Sequence, residues 1–184
     1  MTRHKQQAFL AMQYQLSLEL ATAPSSPDMP DYFWRPVKWE GGRTIGVYEV
    51  PGEVRARTPS DVANHLFATI YKYFDAIDQE HLWVLALDTR NNIRKQILVY
   101  RGSVNTTAVR IGELFKDALR FNAAGVILVH NHPSGAVDPS PEDVRVTELA
   151  VEAGELLGVK VMDHIIIGRG LYVSLKERGL GFNK

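Results

Sequence analysis

The chain has 184 residues, of which 45% are apolar and 23% charged, a composition typical of a soluble globular protein with one domain and a modest extension. Because it contains no cysteine, disulfides, thiolate zinc sites, iron–sulfur clusters and a cysteine nucleophile are excluded. Any transition metal must therefore be held by histidine and carboxylate. Lysine and arginine together number 21, as do aspartate and glutamate, and this balance argues against the basic surface of a nonspecific nucleic-acid-binding protein.

Apolar runs in the sequence are short. The longest, 82–87 and 126–129, cannot span a bilayer, and the first residues lead into no signal-peptide core. We therefore expect a cytoplasmic protein that is not associated with a membrane.

Residues 1–57 are expected to form an N-terminal helix followed by a proline-rich, aromatic arm. Apolar residues recur at helical spacing over 5–20, and four of the nine prolines lie in 21–36. This arm, or an exposed strand edge, could support a homodimer.

Regular patterns begin at residue 58. Thr58-Pro59-Ser60-Asp61 is typical of a helix start, and we predict a helix from there to about Ala76. The remaining patterns predict helices over 112–121 and 141–157, and strands over 82–88, 93–100, 125–132, 159–167 and 171–174. Residues 58–184 are thus predicted to form an α/β domain in which helices sandwich a mixed β-sheet.

Two histidines stand two residues apart at the end of an apolar strand, in the sequence GVILVHNHPSGAVDPSPED. Because strand side chains alternate faces, His130 and His132 point the same way and Asn131 the other. Such a pair can bind one zinc ion, and an acid on the first turn of the helix that begins after Ser140 can reach back to it. Two histidines and one carboxylate leave a coordination position for water, as in catalytic zinc sites.

Each part of this pattern also has a simpler interpretation. A His-x-His pair at a strand end is often exposed or hydrogen-bonded within the protein. Ser140-Pro141-Glu142-Asp143 is an ordinary helix-start sequence, which capping alone would explain. An HNH nuclease is excluded, since those enzymes spread their conserved letters over a longer ββα motif.

The spacing His130-x-His132, seven residues, Ser140, two residues and Asp143 resembles the JAMM (MPN-plus) metalloprotease signature H-x-H-x7-S-x-x-D. The segments ALRFNAAGVILVHNHPSG, EAGELLGVKVMDHIIIG and EHLWVLALDTRNN resemble the bacterial RadC family of JAB-domain proteins, over about 58–181. The resemblance implies the JAMM/MPN (cytidine-deaminase-like) fold. It also implies a zinc-dependent metallopeptidase or isopeptidase that acts on a protein or peptide.

The resemblance further implies roles for individual residues. His130, His132 and Asp143 would bind Zn2+, and Ser140 would donate a hydrogen bond to the oxyanion. The general base of this family is an upstream glutamate, for which Glu80 is our choice, because it directly precedes the first predicted strand of the pair. Glu113, at the start of a helix, is the alternative.

A second hypothesis is a DNA-repair or recombination accessory protein with a non-catalytic metal site. The predicted hairpin carries four cations within twelve residues, Arg90, Arg94, Lys95 and Arg101, which could attract nucleic acid. The neutral net charge does not support DNA binding. Residues 1–57 also do not resemble the helix-hairpin-helix region of longer RadC proteins.

Two further features stay open. Asn131 stands where deubiquitinating JAMM enzymes usually have serine or threonine, and asparagine there is typical of RadC. Asp163-His164 matches a pair of the RadC family, and it is either a structural pair or a support for the metal ligands.

Overall fold

The structure, a computed structural model, describes residues 46–72, 74–102 and 109–182. Within these ranges one sheet has the strand order β1-β3-β2-β4-β5-β6, in which β4 and β5 are parallel and all other neighbours antiparallel. The strands are β1 (Val47–Glu49), β2 (His81–Leu87), β3 (Ile93–Arg101), β4 (Gly125–Asn131), β5 (Lys160–Ile167) and β6 (Tyr172–Ser174). The helices are α1 (Pro59–Ala68), α2 (Ile111–Arg120) and α3 (Pro141–Leu157), and a 3-10 turn covers Phe74–Ala76.

The helices cover both faces of the sheet. On one face, Leu66 of α1 packs in a buried apolar cluster with Trp83 and Leu85 of β2. On the other, Phe115 of α2 and Ala150 of α3 belong to a second cluster with alternate strand residues such as Val84 and Leu128. The alternation of side chains along β2 and β4 thus supplies both cores. The predicted mixed sheet between helices is confirmed.

The first helix is shorter than predicted. We expected it to reach Ala76, but α1 ends at Ala68, and the Tyr71 amide donates to the Leu66 carbonyl at 2.8 Å in a tight turn. This turn buries the rings of Tyr71 and Phe74 in the core beside α1. Burial of two aromatic rings outweighs continuation of an amphipathic helix.

Residues 46–57 precede the predicted domain boundary at 58, yet they contact the sheet. Strand β1 pairs with β3, and the Val54 carbonyl accepts from the Ile93 amide at 2.8 Å. The boundary itself stays a prediction, and the predicted helix and arm up to residue 45 lie outside the described residues. None of the described helices has the length and apolar character needed to cross a bilayer.

Candidate metal centre

The two predicted histidine ligands lie where β4 ends. His130 is the last residue but one of the strand and is fully buried, while His132 follows the strand and is partly exposed. The chain then turns, with the Gly135 amide donating to the His132 carbonyl at 2.9 Å and Gly135 in the left-handed region at φ 86°. This turn packs tightly on the β5–β6 connection, where a Cβ at Gly168 would lie 2.3 Å from the Gly135 carbonyl oxygen.

The predicted carboxylate ligand is fixed by a capping box at the start of α3. The Ser140 amide and hydroxyl donate to Oδ2 of Asp143 at 2.8 and 2.7 Å, and the Asp143 amide donates back to the serine oxygen at 3.1 Å. Oδ2 is therefore engaged by the cap, and Oδ1 faces His130. In this arrangement the hydroxyl of Ser140, our predicted oxyanion donor, orients the carboxylate.

These elements bring together His130, His132 and Asp143, whose donor atoms all lie within 4.8 Å of one another. Nε2 of His130 is 3.0 Å from Nε2 of His132 and 3.1 Å from Oδ1 of Asp143. Nε2 of His132 lies 3.6 Å from Oδ2 of the same carboxylate. Three side chains separated along the sequence thus present their donor atoms to one point.

The geometry and chemistry of these donors suit zinc. Ligand bonds of 2.0–2.1 Å in a tetrahedron place neighbouring donors about 3.3 Å apart, close to the separations of 3.0, 3.1 and 3.6 Å found here. Nδ1 of His132 lies 3.2 Å from the Ala136 carbonyl, which only accepts, so in the neutral ring Nε2 carries a lone pair. Two nitrogens and one carboxylate are a donor set typical of catalytic zinc sites.

The electrostatics of the cluster favour a positive charge among the three residues. Burial by itself raises the pKa of the Asp143 carboxyl, but interactions with the adjacent His130 and His132 rings outweigh it and hold that pKa well below its usual range. Proximity to the Asp143 carboxylate raises the pKa of His132, and the charge of Glu80 adds to this effect. The carboxylate therefore stays ionised and available to a cation.

The two candidate bases differ in their surroundings. Leu82 pairs with His130 in the antiparallel β2–β4 ladder, so counting back two residues places Glu80 opposite His132 on the same face of the sheet. Glu113 lies in the first turn of α2, and its carboxylate pairs with Lys116 at 3.0 Å on the same helix.

Asn131, between the histidines, connects their strand to the segment that carries Glu80. Its side-chain oxygen accepts from the His81 amide at 2.8 Å, and its side-chain nitrogen donates to the Gln79 carbonyl at 3.0 Å. The residue is fully buried on the face opposite the donor atoms, as the alternation of β4 predicts. Both residues that flank Glu80 are thereby tied to the strand that carries the histidines.

The sequence left open the role of His164 and gave no reason to select Thr147. The structure places His164 beside the centre, with its Nε2 2.9 Å from Nδ1 of His130. Thr147 lies 2.6 Å from its other ring nitrogen. The available signal was that Thr147 follows Asp143 by four residues and so lies on the same face of α3.

Two of the four hairpin cations have partners within the protein. Lys95 pairs with Glu49 on the neighbouring strand, and Nε of Arg101 donates to Nε2 of His81 at 3.0 Å. DNA binding by this hairpin stays a prediction.

The sequence model of the RadC-like JAB domain family matches residues 56–180, which include every residue of the centre described above. The chain belongs to the RadC-like JAB domain family. It is 49% identical over 143 residues to a UPF0758 protein of Chloroflexus aggregans, covering 78% of this chain and 61% of the relative. A UPF0758 protein of Roseiflexus sp. is 50% identical over 128 residues, covering 70% of this chain and 53% of the relative.

The chain therefore spans between half and two thirds of the length of these relatives. Their names state a family and no activity.

Proposed function

We propose that this chain is a zinc-dependent metallohydrolase of the JAMM type that cleaves an amide bond in a protein or peptide. The observation that carries the proposal is the convergence of His130, His132 and Asp143, with donor separations of 3.0–3.6 Å, in a RadC-like JAB domain. The metal would be held by Nε2 of each histidine and by the Asp143 carboxylate. When bound, zinc supplies Lewis-acid polarisation of a carbonyl and increases the acidity of water.

The residues around the donors have separate tasks in this proposal. Glu80 acts as the general base, taking a proton from the attacking water and passing it to the leaving amine. Its support is its position two residues before Leu82, which pairs with His130, and its charge, which raises the pKa of His132. Glu113 has less support, because its carboxylate is paired with Lys116.

Ser140 is proposed to stabilise the oxyanion through its hydroxyl. In the structure that hydroxyl donates to Asp143, so it must rotate toward the substrate to take this role. When the hydroxyl turns, the Asp143 carboxylate loses one hydrogen bond from Ser140 and keeps the other, from the Ser140 amide.

The test is hydrolysis of a library of quenched fluorescent peptides and lysine-linked isopeptides by the zinc-loaded chain. Glu80→Gln should lower kcat/KM by about 100-fold or more without changing the zinc content, the usual contribution of a general base. The matched variant Glu113→Gln should stay within about threefold of the wild type. Loss of activity in Glu113→Gln alone would reassign the base, and no cleavage by a fully loaded protein would contradict the proposed hydrolase.

A further inference from the structure

A chain of buried hydrogen bonds links two of the proposed metal ligands, His130 and Asp143, behind the metal centre. Nδ1 of His130 lies 2.9 Å from Nε2 of His164, and Nδ1 of His164 lies 2.6 Å from the hydroxyl of Thr147. That hydroxyl donates to the main-chain carbonyl of Asp143 at 2.6 Å. His164 and Thr147 are 1% and 0% exposed, so water does not compete for these bonds.

The direction of every proton in this chain follows from its last acceptor. The Asp143 carbonyl only accepts, so the Thr147 hydroxyl uses its proton there and its oxygen must accept from Nδ1 of His164. A neutral His164 then has a bare Nε2, which accepts from Nδ1 of His130. His130 is left with its Nε2 lone pair facing His132 and Asp143.

A β-bulge in β5 brings His164 to this position. Val161 pairs with Val126, but Asp163 pairs with Ile127, so Met162 is an extra residue without a partner in β4. If β5 had no bulge, His164 would pair with Val129 and face the opposite layer, because a shift of one residue exchanges the two faces of a strand. With the bulge, His164 pairs with Leu128 and lies on the face that carries His130.

We propose that His164 and Thr147 are positioning residues that fix the Nδ1–H tautomer and the orientation of His130, and so present its Nε2 lone pair to the metal. This inference rests on the proposed zinc site and identifies what supports it. The neighbouring positions Ile165–Ile167 fill the core with apolar side chains, so packing alone gives no reason for a histidine here. Groups that hydrogen-bond to metal-binding histidines typically change metal affinity 10–100-fold when they are removed.

The test compares Thr147→Val, which removes the hydroxyl with little change of shape, with Thr147→Ser, which retains it. Two readouts are used: the zinc dissociation constant by competition with a chromogenic chelator, and the ring nitrogen-15 signals of His130 by NMR. We expect Thr147→Val to bind zinc 10–100-fold more weakly and to lose the signals of a ring protonated at Nδ1 alone. Thr147→Ser should restore both to nearly wild-type values.

The control for simple loss of stability is Ser174→Ala. The Ser174 hydroxyl is also buried, and it donates to Asp163, next to His164, without contacting the hydrogen-bond chain described above. This variant should melt at a lower temperature and keep the zinc affinity of the wild type. Thermal unfolding of all variants before zinc is added shows that the folded proteins are being compared.

The positioning role is overturned if Thr147→Val keeps the His130 signals and binds zinc within twofold of the wild type. It is equally overturned if Thr147→Ser binds zinc as weakly as Thr147→Val. A wild type that binds no zinc would contradict the proposed function, and the NMR signals of His130 would still report its tautomer independently.

Discussion

The side chain of Asn131 accepts a hydrogen bond from the main-chain amide of His81, 50 residues earlier in the chain, at 2.8 Å. The same side chain donates to the Gln79 carbonyl, so Asn131 holds the main chain on both sides of Glu80. The residue between the two proposed ligands thus fixes the main chain of the proposed base. In the described structure, the two histidines lie on one face at the end of β4. The Asn131 side chain, on the other face, holds the segment that precedes β2.

Replacement of Asn131 by alanine should remove both of these hydrogen bonds. The His81 amide and Gln79 carbonyl lose their partner, so we expect the free energy of unfolding to fall by about 2–4 kcal/mol. Hydrogen exchange at the His81 amide should be at least about tenfold faster than in the wild type. Urea denaturation and exchange monitored by NMR measure the two effects.

The matched control is Asn92→Ala, which removes another buried asparagine that is hydrogen-bonded to Asp88 in the β2–β3 turn. It should destabilise the protein without selective loss of protection at His81. If the His81 amide of Asn131→Ala exchanged as slowly as that of the wild type, the proposed role of Asn131 in holding this segment would be contradicted.

The described residues include two capping boxes of the same form, and they separate capping from metal binding. Thr58 caps α1 with Asp61, and Ser140 caps α3 with Asp143. Thr58→Ala and Ser140→Ala should each cost about 1 kcal/mol of stability, the usual value of an N-cap. Only Ser140→Ala should also weaken zinc binding and hydrolysis, because only its partner carboxylate faces the histidines. Equal zinc affinities and equal rates of hydrolysis in both variants would leave Ser140 with a capping role alone.

Glycine at 168 is required by a close approach of two backbones. A Cβ there would meet the Gly135 carbonyl oxygen at 2.3 Å, so Gly168→Ala should displace the turn after His132 and cost about 2–3 kcal/mol. In contrast, a Cβ at Gly112, in the first turn of α2, meets nothing within 4 Å. Gly112→Ala should therefore stabilise the protein by about 0.5–1 kcal/mol. Urea denaturation of both variants measures the two signs, and a stabilising Gly168→Ala would refute the packing argument.

Stability should fall in mild acid because of His81. Burial and, to a smaller extent, the charge of the nearby Arg101 lower the pKa of His81 from 6.5 to about 4, although Asp78 opposes them in part. Between these two values the unfolded chain binds a proton that the folded chain does not, so stability is lost as the pH falls below 6.5. Allowing for partial solvent access, we expect a contribution of roughly 1–2 kcal/mol between pH 7 and pH 5.

The measurement is the free energy of unfolding at pH 7 and pH 5 for the wild type and for His81→Gln. Glutamine can accept from Arg101 but does not titrate, so the variant should lose less stability over this interval. The same pH dependence in both proteins would show that His81 does not contribute.

Local signals in the sequence predicted several elements well. Helix α3 begins and ends as expected, because Ser140-Pro141 and Gly158 are strong capping signals at its two ends. The apolar run of β4 and the alternation around His130 likewise predicted which way the histidines face. These properties depend on residues adjacent in the chain, which is why they can be predicted.

Other properties depend on distant contacts that local patterns do not contain. The bulge at Met162 reverses which side chains of β5 face α3, and only pairing with β4 defines it. Helix α1 ends early because Tyr71 turns into the core. Thr58 and Ser140 have the same local pattern, and the histidines opposite one of them make the difference.

The most direct test of the account is the zinc content of the full chain, purified without added metal or chelator, compared with that of His132→Ala. His132 is partly exposed, so its replacement should leave the protein folded while removing one of the three proposed ligands. We expect about one zinc ion per wild-type chain and a loss of bound zinc in the folded variant. A wild type that binds no zinc even after reloading, or a variant that retains it fully, would contradict the proposed metal centre.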